Sequence, residues 1–136
     1  MIRPYIISHR GNLNGRIPGR ENTLDYIDEA INAGFDVEID LWFIAGKFWL
    51  GHDGPETEVL MQQLMDRAAF LWIHAKNLDA VTYLLQTDLH WFWHDMDTMT
   101  LTSEGIPWAQ PGQFIPGGIT VEFNFTDIPS YSLGVC

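Results

Sequence analysis

Ionisable side chains stand at or just past the ends of four apolar segments that have the character of β-strands. These side chains are His9, the pair Glu38 and Asp40, His52, and the pair His74 and Lys76. In a parallel α/β sheet or barrel, ligands bind at the carboxyl ends of the strands. The sequence therefore predicts that these residues converge on one site.

Glu38 and Asp40 lie two residues apart in an apolar segment, so the period of a strand places both carboxylates on one face. Two buried carboxylates with no cation on their own strand repel each other and resist ionisation unless a positive charge lies between them. Oxygen ligands of this kind favour Mg²⁺ or Ca²⁺, and Mn²⁺ is a further candidate. The simpler alternative is a structural salt bridge between one carboxylate and Lys76.

His9 and His52 come from different segments and can face each other across a phosphate, where one accepts a proton and the other donates one. Arg10 offers a planar fork of donors that matches phosphate oxygens, and Lys76 offers a point charge for the same anion. These are the minimum groups for phosphodiester cleavage. Each also has a simpler interpretation, as a satisfied strand-end histidine, a solvated loop arginine or a snorkelling lysine.

An aromatic segment near residue 92 is the fifth predicted strand, and Trp93 and His94 are assigned to substrate lining there. Aromatic strands are equally typical of a core, and Trp108 has the same ambiguity. Glu122 lies near another predicted strand end and is a candidate additional ligand.

Hydrophobic periodicity predicts alternating strands and helices in the first two thirds of the chain, and short strands with little helix afterwards. The predicted strands are 5–8, 35–43, 47–50, 70–75, 89–93, 107–109, 119–123 and 131–135, and the predicted helices are 24–33, 56–69 and 78–88. Eight strands in this order indicate a compact (β/α)8 TIM-like barrel with outer helices missing or shortened in its C-terminal half. We expect a single domain over residues 1–136.

The amino-acid composition limits the classes of partner that the chain can bind. The formal charge of −11, from 18 acidic and 7 basic residues, disfavours nucleic acid as a partner. Arg10, Arg16 and Arg20 nevertheless fall within eleven residues of one another beside His9, so we expect an anion to bind there. With His9 and His52 for proton transfer, the expected partner is a small-molecule phosphodiester. A lone Cys136, no signal-peptide pattern and no apolar run of about 20 residues predict a cytoplasmic protein without stable membrane insertion. Strand surfaces without helices are candidates for homo-oligomer contacts.

Four short motifs occur together in the first half of the chain: His9-Arg10-Gly11, Glu21-Asn22-Thr23, Glu38-Ile39-Asp40 and His52-Asp53. In this order and spacing the chain resembles the glycerophosphodiester phosphodiesterases of the phosphatidylinositol-phospholipase-C-like barrel superfamily, as far as Lys76. The resemblance implies that His9 and His52 act as general acid and base, that Glu38 and Asp40 ligate a divalent cation, and that Arg10 holds the phosphate. It places Glu21 in the same network as a further ligand.

His74 departs from the family pattern, which has an acidic metal ligand at this position. A histidine can take that ligand's place, with a shift toward softer ions.

The sequence supports two hypotheses about function. The first is a metal-dependent phosphodiester hydrolase that uses either water or a neighbouring substrate hydroxyl as nucleophile. The second is a degenerate barrel that binds a phosphorylated small molecule without turnover. The pairing of His9 with His52 favours the hydrolase, because a binding protein needs no proton-transfer groups.

Overall fold

Strands dominate the computed structural model, which describes residues 4–122 and 132–136. The strands are β1 (Tyr5–His9), β2 (Asp36–Ile44), β3 (Lys47–Leu50), β4 (Thr57–Val59), β5 (Leu71–Ala75), β6 (Trp91–Trp93), β7 (Met99–Leu101), β8 (Pro107–Ala109), β9 (Ile119–Thr120) and β10 (Gly134–Val135). The helices are α1 (Leu24–Asn32), α2 (Met61–Met65) and α3 (Leu78–Leu84), and a single 3₁₀ turn covers Ala68–Phe70. Within the described chain, no helix has the length and apolar character that crossing a bilayer requires.

The described strands form one curled mixed sheet. Strands β6, β5, β2, β1, β10, β9 and β8 lie side by side in that order, and every neighbouring pair is parallel. The β3–β4 hairpin pairs antiparallel with the second half of β2, and β7 pairs antiparallel with β8. The sheet curls until Phe92 stacks on Trp108 with ring centroids 4.5 Å apart. No ladder joins β6 to β8 among the described residues, so the sheet remains an open half-barrel.

The predicted (β/α)8 barrel is therefore wrong. Segment 47–50 was expected to be a parallel barrel strand, but Ala45 and Gly46, with φ of 50° and 78°, form a two-residue turn. Such a turn can join only antiparallel neighbours, so the chain doubles back as β3. The absence of helices from residues 85–122 and 132–136 agrees with the expected loss of outer helices, but the sheet is mixed and open and not a closed parallel barrel.

The predicted helix 56–69 is wrong at its start, where the chain forms β4 before the short α2. Val59 pairs with Phe48 across the hairpin and is buried, so its apolar side chain packs as part of a strand and not of a helix. The helices expected after residues 23 and 77 are confirmed, since Thr23 and Asn77 cap α1 and α3. The predicted strands 119–123 and 131–135 lie partly outside the described residues, and β9 and β10 occupy their described parts.

The two faces of the sheet bury different cores. Val37, Ile39 and Leu41 of β2 face the helices and join one apolar cluster with residues of α1 and α3. On the inner, concave face, Trp72 and Phe92 belong to a second cluster that also contains Ile7, Trp108, Ile119, Val121 and Cys136. Because side chains alternate along a strand, Glu38 and Asp40 of β2 point into the concave side.

Asn77 connects α3 to the end of β2 through three hydrogen bonds. Its side-chain oxygen accepts from the backbone N–H of Phe43 and of Ala80, and its amide donates to the Phe43 carbonyl at 2.9 Å. Replacing Asn77 with Ala removes all three bonds and should lower the free energy of unfolding by about 1–3 kcal/mol. Asn77→Asp keeps the acceptor but loses the donor, so it should cost less. Urea unfolding measures both.

The control is Thr82→Ala on the exposed side of the same helix, expected to change stability by less than about 0.5 kcal/mol. Equal unfolding midpoints for Asn77→Ala and Thr82→Ala would contradict this role of Asn77.

Candidate functional site

β2 supplies both carboxylates of the candidate site. Glu38 and Asp40 are only 2% and 1% exposed, although they face the concave side of the sheet. Strand register brings His9 of β1 opposite Glu38 and His74 of β5 opposite Asp40. The predicted convergence of side chains from β1, β2 and β5 is thus present in the structure.

Asn22 holds Asp40 in place through two reciprocal hydrogen bonds. Its amide donates to Oδ2 of Asp40, and its side-chain oxygen accepts from the Asp40 backbone N–H, both at 3.0 Å. Asn22 is itself 2% exposed, so the pair is shielded from water. A hydrogen bond of this kind is worth more in the low-dielectric interior than at the surface, and it fixes the carboxylate orientation.

Arg10 and Asn22 both adopt left-handed backbone conformations, with φ of 59° and 58°. Asparagine tolerates this region, whereas an arginine there costs roughly 1–2 kcal/mol. The Arg10 N–H donates to the Glu38 carbonyl, and the Asn22 N–H donates to the Arg10 carbonyl. These bonds retain a strained turn that aims both side chains at the carboxylates.

Several cationic or hydrogen-bonding groups surround Asp40 in addition to Asn22. They are Arg10 Nε at 3.5 Å, His52 Nδ1 at 3.5 Å, His74 Nδ1 at 3.2 Å and Lys76 Nζ at 3.9 Å. Burial alone would raise the pKa of Asp40, but the contacts from His52, His74 and Asn22 outweigh it and hold the pKa well below 3.8. Asp40 is therefore ionised at neutral pH.

Glu38 lacks such compensation. Burial and the neighbouring charge of Asp40 raise its pKa well above 4.5. His9 Nε2 lies 3.3 Å from Glu38 Oε2, but burial and the adjacent Arg10 lower the pKa of His9 to about 4, so this imidazole is neutral at pH 7. Oε2 of Glu38 and Oδ1 of Asp40 are buried acceptors without a hydrogen bond among the described residues.

These unsatisfied acceptors fit a divalent cation. Ligand atoms of Glu38, Asp40 and His74 lie within 4.8 Å of one another. Two carboxylates and an imidazole suit ions such as Mg²⁺ or Mn²⁺, and the imidazole favours the softer of them. A cation at this position would remove the mutual repulsion of the carboxylates and the cost of burying Glu38.

Glu21 lies apart from this cluster. Its two carboxylate oxygens accept from Arg10 Nη1 at 2.9 Å and from Arg16 Nε at 2.7 Å. Glu21 belongs to neither of the possible metal-holding groups found among the described residues, so the structure does not bring the predicted ligand Glu21 to the cation site. Its position instead orients the Arg10 guanidinium.

His52 reaches Asp40 by a route that the sequence interpretation did not anticipate. β2 continues past the site to Ile44, and β3 returns alongside it, so Gly51 donates its N–H to the Asp40 carbonyl. A Cβ on Gly51 would lie 1.9 Å from the Gly54 carbonyl oxygen, which restricts this tight loop to glycine. The loop places His52 between Asp40 at 3.5 Å and Asp53 at 3.8 Å.

A cavity of about 330 Å³ opens over these groups. Its lining includes His9, Arg10, Glu38, Asp40, His52, His74, Lys76, His94 and Trp108. Trp93 does not line it, because the alternation of β6 turns Phe92 inward and leaves Trp93 41% exposed. The His94 carbonyl lies 2.8 Å from His74 Nε2, and the His94 ring pairs with Asp97.

A second cavity, of about 560 Å³, adjoins the first and shares His9 and Arg10 with it. Glu122 and Cys136 line this second cavity, which puts the candidate ligand Glu122 outside the first one. Cys136 is buried, and burial together with Glu38 raises the pKa of its thiol well above 9.0.

Sequence reasoning missed Asn22 and Cys136 as members of the site. From the sequence, Asn22 was included only as part of the Glu21-Asn22-Thr23 motif, with no role of its own, and the cap of α1 is Thr23. The position of Asn22 in the motif was the available signal. Nothing local marked Cys136, whose proximity to Glu38 depends on the pairing of β10 with β1.

Comparisons of the chain with protein-family models, with curated proteins and with solved structures found no match. The resemblance to glycerophosphodiester phosphodiesterases is therefore carried only by the four motifs and stays a prediction.

Glu38→Gln tests the uncompensated charge. Between pH 4.5 and the raised pKa of Glu38, the folded protein binds more protons than the unfolded chain, so this carboxyl weakens the fold as pH rises. In metal-free buffer at pH 7, Glu38→Gln should therefore raise the free energy of unfolding, by about 1–2 kcal/mol. Urea unfolding at several pH values measures the difference from the wild type.

The advantage of the variant should shrink toward pH 4.5, and the exposed control Glu58→Gln should show no such trend. A Glu38→Gln protein that is less stable than the wild type at pH 7 would show that another group already compensates Glu38.

Proposed function

We propose that this protein is a metal-dependent phosphodiester hydrolase. The observation that carries the proposal is the convergence of two buried carboxylates, four histidines and two basic side chains on one cavity. The unsatisfied buried oxygens of Glu38 and Asp40 support a cation at its base. Buried acceptors without a hydrogen bond are rare in proteins, because each costs about 1–3 kcal/mol.

Glu38, Asp40 and His74 would hold the cation. When bound, a divalent cation supplies charge stabilisation for a phosphoryl oxygen and lowers the pKa of water. The remaining residues then act on the substrate and on protons. Asn22 keeps the Asp40 carboxylate in its orientation, and Glu21 keeps the Arg10 guanidinium beside Asp40.

Arg10 and Lys76 would bind the phosphate. The Arg10 guanidinium lies against both Glu21 and Asp40, which limits its rotamers, and it can still present donors to the cavity. Lys76 adds a charge from the opposite side of Asp40. A fork of donors and a point charge on one anion are typical of phosphate recognition.

His9 and His52 would transfer the protons. His9, a neutral imidazole beside Glu38, can accept the proton of an attacking hydroxyl. His52 has Asp40 3.5 Å from Nδ1 and Asp53 3.8 Å from Nε2, and it would be the group that donates a proton to the leaving oxygen. Attack by water yields a phosphomonoester and an alcohol, and attack by a substrate hydroxyl yields a cyclic phosphate and an alcohol.

The test is hydrolysis of bis(p-nitrophenyl) phosphate and of glycerophosphodiesters in Mg²⁺, Mn²⁺, Ca²⁺ or EDTA. EDTA should abolish turnover. His9→Ala and His52→Ala should each lower kcat by about 10²–10⁴-fold, the usual contribution of a proton-transfer group. Arg10→Ala should lower kcat/KM, and the matched control is Arg20→Ala, which removes a guanidinium of the same loop that pairs with the exposed Glu29.

Turnover that survives EDTA, or that survives both histidine substitutions, would refute the proposed mechanism. Absence of turnover in every metal, together with a rise in melting temperature on adding Mg²⁺ or Mn²⁺, would favour the alternative function, a protein that binds a phosphorylated small molecule without cleaving it.

A further inference from the structure

A second group of potential metal ligands lies on the other side of Glu38. Ligand atoms of His9, Glu38 and Cys136 come within 4.8 Å of one another. The three residues belong to, or directly follow, the adjacent strands β2, β1 and β10. Glu38 is the only member that also belongs to the first group of described ligands, with Asp40 and His74.

The unsatisfied buried oxygen of Glu38, which also borders the first group, points to a ligand at this second position as well. Its Oε2 atom is buried and has no hydrogen bond among the described residues, and it lies 3.3 Å from His9 Nε2, within the second group. A buried carboxylate oxygen with only this neutral imidazole beside it lacks the positive partner that its burial demands. The nearest contacts of His74 and Lys76 are with Oδ1 of Asp40, at 3.2 Å and 3.9 Å, and the charges of Arg10 and Lys76 do not offset the burial of Glu38.

The chemistry of this second set differs from that of the first. A thiolate, an imidazole and a carboxylate are the ligands that Zn²⁺ accepts, and the thiolate selects against Mg²⁺ and Ca²⁺. Tetrahedral zinc separates such ligand atoms by about 3.3–3.8 Å, so a shift of roughly 1 Å would complete the geometry. His9 and Cys136 both line the 560 Å³ cavity, which provides the path of entry.

We propose that His9, Glu38 and Cys136 form a binding site for a soft divalent cation such as Zn²⁺, separate from the hard-cation cluster of Glu38, Asp40 and His74. Three protein ligands leave a fourth position open to water or to a small anion. Occupation of this site uses the imidazole lone pair of His9, so a bound soft cation and proton acceptance by His9 exclude each other. The proposed site does not depend on diester cleavage for its existence.

Co²⁺ titration of the reduced protein, residues 1–136, tests the site without any substrate. A Co²⁺ ion bound by Cys136 gives a thiolate-to-metal charge-transfer band in the near ultraviolet, which a site of oxygen and nitrogen ligands does not give. The wild type and His74→Gln should both develop this band to saturation, and Zn²⁺ should abolish it. Cys136→Ser should show no band, and His9→Gln should need at least about tenfold more Co²⁺.

Absence of the band in the wild type, with the thiol confirmed as reduced, would overturn the proposal. A band that His74→Gln abolishes and His9→Gln leaves unchanged would also overturn it, since the thiolate would then serve the other cluster. Circular dichroism of metal-free Cys136→Ser checks its fold, and His9→Gln, at a side chain 33% exposed, tests the site without disturbing the core.

Discussion

The burial of two carboxylates on the same face of β2 is the constraint on which the rest of this structure depends. A strand with Glu38 and Asp40 facing inward is unstable by itself, because each charge loses its hydration and repels the other. The surrounding elements respond to this cost. The β1–α1 loop contributes Asn22 and Arg10, the β3–β4 loop contributes His52, and the end of β5 contributes His74 and Lys76. All five side chains contact the Asp40 carboxylate.

The burial of Asp40 is compensated by nearby polar groups and the burial of Glu38 is not. This difference is what suits the cluster to binding a cation. All five of these side chains contact the Asp40 carboxylate, whereas the contact that the structure gives the Glu38 carboxylate is with the neutral His9, and the charges of Arg10 and Lys76 do not offset its burial. A protein selected for stability alone would pair or replace Glu38, and proteins depart from such local rules mainly at functional sites. The left-handed backbone at Arg10 is a second departure of this kind. Such strained conformations cluster at functional sites, where they position side chains.

Local patterns predicted the site better than they predicted the fold. The period of two in β2 correctly paired Glu38 with Asp40, and polar strand ends correctly brought His9 and His74 to them. The barrel failed because eight apolar segments were counted as equivalent parallel strands, although the Ala45-Gly46 turn forces β3 to run backward. His52 arrives beside Asp40 through that hairpin, so its position was predicted correctly from an incorrect premise. Trp93 was expected to line the cavity, but side chains alternate along β6, and its neighbour Phe92 faces inward instead.

What the sequence could not predict depends on pairing between distant strands. Cys136 reaches Glu38 because β1 lies between β2 and β10, an order that no local window contains. Asn22 likewise acts on a carboxylate 18 positions away. The same strand order makes Glu38 common to two candidate cation sites of different chemistry. Since a carboxylate has two oxygens, Glu38 can either bridge two ions or serve one at the expense of the other, and either arrangement couples the sulfur-containing site to the site at Asp40.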